Sequence, residues 1–133
     1  MVHESYVKVR FCETDALGHV NNISYFIYLE EARINFFRDI GFQVDPKKWN
    51  FILASTKCDF VKQAYFNQKL CILTSVSHIG TKSFRLSSRV VDEETNQLIA
   101  NGEAVVVYFD FQKQQSAAIP PQLKEELTKY MAT

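Results

Sequence analysis

Asp15 and His19 stand four residues apart with Gly18 between them, and Asn21-Asn22 follow immediately before a strongly apolar run. Those types at that spacing can do hydrolytic chemistry. A carboxylate can act as a base or a nucleophile when it lies within hydrogen-bond reach of a carbonyl or its attacking water. Asn residues are favoured N-caps. A helix that starts there presents unpaired N–H groups and a positive dipole end, which suit a developing oxyanion. The same residues can equally serve as turn and capping groups, and spacing alone leaves both readings open.

The element that must position them is the helix that follows. At about 100° per residue, Tyr25, Phe36, Leu29, Ile40, Phe26, Phe37, Ile23, Ile34 and Ile27 cover most of the circumference, leaving a narrow polar stripe of Ser24, Glu31, Asn35 and Arg38. Such a helix is buried on most sides. Glu30, Glu31 and Arg33 interrupt it too often for a membrane span. Gly41 suits a left-handed C-cap, and Pro46 in the connection at 42–50 forbids continued helix.

Upstream, Val7, Val9 and Phe11 alternate with Tyr6, Lys8 and Arg10 as a half-buried strand. Downstream, strands are expected over Phe51 to Val61, from Leu70, from Phe84 to Val90, and from Leu98 to Phe111. Turns are expected at Asn67-Gln68, Gly80-Thr81 and 92–96. A short last helix starts at Pro120-Pro121 and turns Leu123, Leu127 and Tyr130 to one side. The pattern predicts an α+β domain over 1–133, with one long apolar helix against a curved five-stranded antiparallel sheet. One sheet cannot cover a helix that is apolar nearly all round, so a second subunit is expected to cover the rest, as a dimer or a dimer of dimers.

With 133 residues, 47% apolar, the chain can build one core and is not disordered. Net charge is zero with Lys and Arg scattered, which argues against a nucleic-acid protein driven by a basic face but not against a few lysines gripping phosphates. No leader or membrane-spanning run is visible. Cys12, Cys58 and Cys71 are odd in number and lack CxxC spacing, so neither a disulfide framework nor a metal site is expected, and a reduced cytoplasmic setting is the default.

The run RFCETDALGHVNNISYFIYLEEAR resembles the signature of hotdog-fold acyl-CoA thioesterases of the 4-hydroxybenzoyl-CoA thioesterase type. The matching residues are Phe11, Thr14-Asp15, Gly18, His19-Val20-Asn21-Asn22, Tyr25 and Tyr28-Leu29-Glu30. The HVNN run is also similar to plant acyl-carrier-protein thioesterases, and the resemblance covers nearly the whole chain.

It implies the hotdog fold and hydrolysis of an acyl-CoA or acyl-carrier-protein thioester, with no cofactor beyond the coenzyme A of the substrate. Asp15 would be base or nucleophile, the Asn22 backbone amide would polarise the carbonyl, and His19 would assist. Gly18 and Tyr25 would line the substrate, with Lys82 and Ser83 approaching the coenzyme A nucleotide; Lys57 and Lys62 are weaker candidates. Two departures stand out. The 4-hydroxybenzoyl-CoA enzymes carry an aromatic residue where this chain has Asn22, and the plant enzymes carry Asn where it has Leu17. His3 and His78 have no partners at useful spacing, and Glu30 with Arg33 reads as a helix ion pair or a link across a subunit contact. Rival expectations are a hotdog hydratase or dehydratase and a non-catalytic acyl-CoA-binding protein. The presence of Asp15 and the HVNN entry favours the hydrolase.

Overall fold

Asn21 starts the long helix. Its backbone is extended and its side-chain oxygen accepts the Ser24 N–H at 2.9 Å, which caps α1 (Asn22–Asp39). At the other end Gly41 takes φ +95°, and the Gly41 and Phe42 N–H groups return to the Arg38 and Phe37 carbonyls at 3.1 and 2.9 Å. This is a Schellman closure, in which glycine avoids the steric cost of the left-handed turn. The computed structural model describes residues 1–42 and 49–131, so Pro46 lies outside the described residues.

The strands are β1 (His3–Lys8), β2 (Phe51–Phe60), β3 (Lys69–Ile79), β4 (Ser83–Asp92), β5 (Leu98–Asp110) and β6 (Gln115–Ser116); α2 (Pro121–Thr128) follows. All pair antiparallel in the order β1-β3-β4-β5-β2, with β6 added to the end of β5. The five long strands match the expected sheet, and β6 is an addition to it. Register shifts at Leu53/Ser55, Val76/His78 and Val90/Val91 are bulges, which bend strands and strengthen twist, as a sheet wrapped around a helix needs.

Two clusters fill the space between α1 and the sheet. Tyr25, Tyr28, Leu29 and Ala32, on the first half of α1, pack with Leu70, Ile72, Val90 and Ile99. Phe36, Phe37 and Ile40, on its second half, pack with Phe51, Val76, Phe84, Val106 and the α2 residues Leu123 and Leu127. Phe37 lies almost parallel to Phe51, at 4.3 Å between ring centroids.

The alternation expected before Asp15 is corrected in part. The strand ends at Lys8, the chain turns through one 3-10 turn at Phe11–Glu13, and Phe11 is 75% exposed. The polar stripe of α1 is corrected too. Ser24 is buried, and Asn35 Nδ2 donates to Ser5 Oγ at 2.9 Å, so half of that stripe faces inward. The open side of the helix instead carries Ile23 and Ile27, 73% and 51% exposed. Glu30 and Arg33 form no ion pair with each other; burial pushes the Arg33 guanidinium down while the Glu30 charge works to hold it up. His3, expected to be partnerless, is buried, with Nε2 2.7 Å from Asp39 Oδ2.

Candidate active site

Residues 13–21 form a narrow hairpin. Asn21 N–H donates to the Glu13 carbonyl at 3.0 Å, Thr14 bridges Val20, and Asp15 N–H donates to the His19 carbonyl at 2.8 Å. At its tip the Gly18 N–H returns to the Asp15 carbonyl at 3.1 Å, and φ of +80° at Gly18 makes the reversal accessible without a Cβ clash.

Asp15 is exposed. Its Oδ1 accepts the Leu17 N–H at 2.8 Å and the His19 N–H at 3.2 Å. These bonds hold the carboxylate through one oxygen, and Oδ2 has no protein donor among the described residues. His19 therefore orients Asp15 through its main chain, while its ring is half-buried and packs edge-on against Tyr65 at 5.2 Å. Asn22 stands three residues after His19, whose N–H holds the carboxylate, so at most about 10 Å of chain joins that bond to the first turn of α1. With Asn21 capping Ser24, the exposed Asn22 contributes a first-turn N–H that has no acceptor among the described residues.

Glu13, two residues before Asp15, is a site residue that the sequence reading missed. It is only 7% exposed. Its carboxylate accepts the Arg10 N–H at 2.8 Å, Arg10 Nε and Nη2 at 3.1 and 2.9 Å, and the Tyr28 hydroxyl at 2.9 Å. Its carbonyl also accepts Ser24 Oγ at 3.2 Å. Burial works to raise the Glu13 carboxyl, but the hydrogen bonds from Arg10 and Tyr28 outweigh it and hold it below the usual carboxylate range. The same burial, with the Glu13 bond, pushes the Tyr28 hydroxyl up. The only sequence signal was the three-residue spacing of Arg10 and Glu13.

Tyr25 is 2% exposed and packs against Tyr28 and Phe60, so within one chain its ring belongs to the core. Lys82 is exposed and Ser83 half-buried, both at the β3–β4 turn, where the Gly80 N–H meets the Ser83 carbonyl at 2.7 Å. The structure does not bring them to Asp15. The hairpin joins the sheet through Val20 N–H on the Ala64 carbonyl, just ahead of β3, whereas Lys82 follows its far end. At about 3.3 Å per residue, β3 alone spans roughly 30 Å. Lys57 lies 4.0 Å from both Asp59 and Glu103, and the Lys62 ammonium meets Gln97.

Of the three thiols, Cys12 is exposed, Cys58 half-buried and Cys71 buried. Burial pushes Cys58, on β2, up to about 11. Among the described residues no three His, Cys, Asp or Glu side chains converge as a metal site requires, and no helix is long and apolar enough to cross a membrane.

The thioesterase-like superfamily matches residues 9–127, from the residue that follows β1 to the last turn of α2. The chain belongs to that superfamily. It is 39% identical over 80 residues to the uncharacterised protein YsmA of Bacillus subtilis strain 168, covering 60% of this chain and 54% of that one. It is 26% identical over 130 residues to the long-chain acyl-CoA thioesterase FadM of Escherichia coli strain K12, covering 93% and 96% of the two chains. The structure described as a predicted thioesterase from Bacillus stearothermophilus superposes with a TM-score of 0.93 at 23% identity, over 100% of this chain and 98% of that one, and shows the same fold.

Proposed function

We propose that the protein hydrolyses acyl-CoA thioesters. The observation that carries this reading is the exposed Asp15 carboxylate, held by one oxygen on backbone amides, in a hairpin that leads into the first-turn N–H of Asn22, which has no acceptor among the described residues. Full-length similarity to FadM, which is named a long-chain acyl-CoA thioesterase, supports the substrate class.

In the proposed reaction Asp15 takes a proton from water as the water attacks the thioester carbonyl. The Asn22 N–H stabilises the oxyanion; the C–S bond then breaks and the thiolate leaves with a proton as coenzyme A. Attack by Asp15 itself, through an anhydride that water then opens, uses the same geometry. Water is the only co-reactant in either route. The HVNN entry and the Asn at position 22 favour an acyl group other than hydroxybenzoyl.

The working unit is an oligomer. Exposed Ile23 and Ile27 and the unpaired edge of β2 support a second copy, and the distance from Asp15 to Lys82 fits a nucleotide grip supplied by a neighbouring chain. Free thiols at Cys12, Cys58 and Cys71 fit a reducing cytoplasmic setting.

The test is Asp15→Asn, which keeps the shape and an acceptor for Leu17 and His19 while removing the base. Release of coenzyme A thiol should fall by about 10²–10⁴ in kcat with binding retained. A folded variant with more than about a tenth of wild-type kcat, where loss of a base should exceed ~10²-fold, refutes the reading.

A further inference from the structure

We propose that Glu13 is the positioning residue for Asp15: it fixes the distance between the reactive carboxylate and the Asn22 amide by tying the hairpin to three levels of α1. The proposal rests on the hydrolytic reading above and extends it to a residue that never meets the substrate.

Among the described residues no side chain holds Asp15. Its partners are all main-chain groups of its own hairpin, so its place relative to the helix depends on what anchors the base of that hairpin. Val20 ties one arm of the hairpin to the sheet through the Ala64 carbonyl, and Glu13 ties the other arm to the helix. The Glu13 carbonyl takes the N–H of the cap residue Asn21 and shares the Ser24 hydroxyl, in the first turn, with Asn21 Oδ1, while its carboxylate takes the Tyr28 hydroxyl almost two turns along. On the opposite side three N–H groups of Arg10 close the remaining lone pairs, so the side chain has no freedom to swing.

The chemistry of the choice is informative. An apolar side chain of similar volume fills a buried position without the desolvation of a carboxylate, and is often as stable or more so. A buried charge with directional bonds to two elements fixes register instead, which packing alone does less sharply. Register matters here because one carbonyl must meet Asp15 on one side and the Asn22 N–H on the other. A displacement of about 1 Å can cost as much as 10²-fold in rate.

The variants are Tyr28→Phe, which removes one hydroxyl from the anchor, and Glu13→Gln, which removes its charge. Each is made in the wild-type and in the Asp15→Asn background. In the wild-type background, kcat should fall about tenfold for Glu13→Gln and less for Tyr28→Phe, with KM for acyl-CoA unchanged. In Asp15→Asn, whose residual hydrolysis no longer uses the carboxylate, adding either substitution should change the rate by less than twofold, because the effect acts through Asp15. A similar loss in both backgrounds overturns the proposal, since it marks a general effect on the fold. So does wild-type kcat for both single variants accompanied only by lower melting temperatures. Should Glu13→Gln not fold, the two Tyr28→Phe proteins decide alone. Undiminished hydrolysis by Asp15→Asn removes the hydrolytic reading and this proposal together; an inactive Asp15→Asn beside fully active Glu13→Gln and Tyr28→Phe removes only the positioning role.

Discussion

The Asn22 amide can be deleted without touching a side chain, because proline at the first position of a helix lacks only an N–H that the helix does not use. The site is suited to it. Asn22 is the first residue of α1, and Asn21 before it has φ −75° and ψ 157°, the extended geometry that a following proline requires. The cap is independent of the change, since Asn21 Oδ1 bonds Ser24 and not Asn22.

Asn22→Pro should therefore fold with a stability change within about 1 kcal/mol. Unfolding entropy of ~2.1 cal/mol/K per residue gives about 0.28 kcal/mol/K for this chain, so the melting midpoint should move by no more than about 4 °C. Hydrolysis should fall far more. Removal of one oxyanion donor costs about 10²–10³ in kcat, or roughly 2.7–4 kcal/mol of transition-state stabilisation. Asn22→Ala, which keeps the N–H and loses the amide side chain, should stay within about threefold of wild type, since the oxyanion donor is retained. The assay is coenzyme A thiol release under saturating acyl-CoA, with thermal melts on the same samples. An Asn22→Pro enzyme as fast as wild type, or an Asn22→Ala enzyme as slow as the proline variant, refutes the assignment of the donor to the backbone.

Lys82→Ala should raise KM with kcat unchanged, because a phosphate grip is made equally in ground and transition states; added salt should narrow the difference from wild type. Equal KM values at low salt would make Lys82 an ordinary solvated lysine. The response to acid follows from Glu13. Its carboxyl is lowered in the folded state, so its contribution to stability is complete above the unfolded value of about 4.3 and is lost as pH falls through the folded value. Melting midpoints should hold to about pH 5 and drop below it, more steeply in wild type than in Glu13→Gln; parallel curves would contradict this.

Local signals in the sequence were the most legible. Asn21 and Gly41 bracket α1 because capping is decided by one or two side chains near each end. Alternation located the long strands because a half-buried strand repeats every two residues. Alternation carries no information about neighbours, however, so the place of β2 at the edge beside β5 was invisible, as was the separation of Lys82 from Asp15. Phe11 misled because an aromatic after two alternating valines continues the pattern, although the strand had already ended at Lys8 and Phe11 opens the 3-10 turn. Glu13 was hidden for a different reason. A loop glutamate is usually solvated, and only the arrival of Tyr28 from the helix and Arg10 from the strand end makes its burial tolerable.

Nearly every bond that shapes the reactive hairpin lies between residues 10 and 28. Its ties to the rest of the chain are few, chiefly the Val20 amide on Ala64 and the His19 ring on Tyr65. Such a segment is portable: it carries its own anchor, its own turn and its own amide donor wherever it is set against a sheet. If Asp15 and the Asn22 amide carry the reaction, the strands that face the second half of α1 lie outside the segment that holds the reacting groups. On the proposed mechanism, reactivity would reside in residues 10–28 and acyl selectivity in the walls around them.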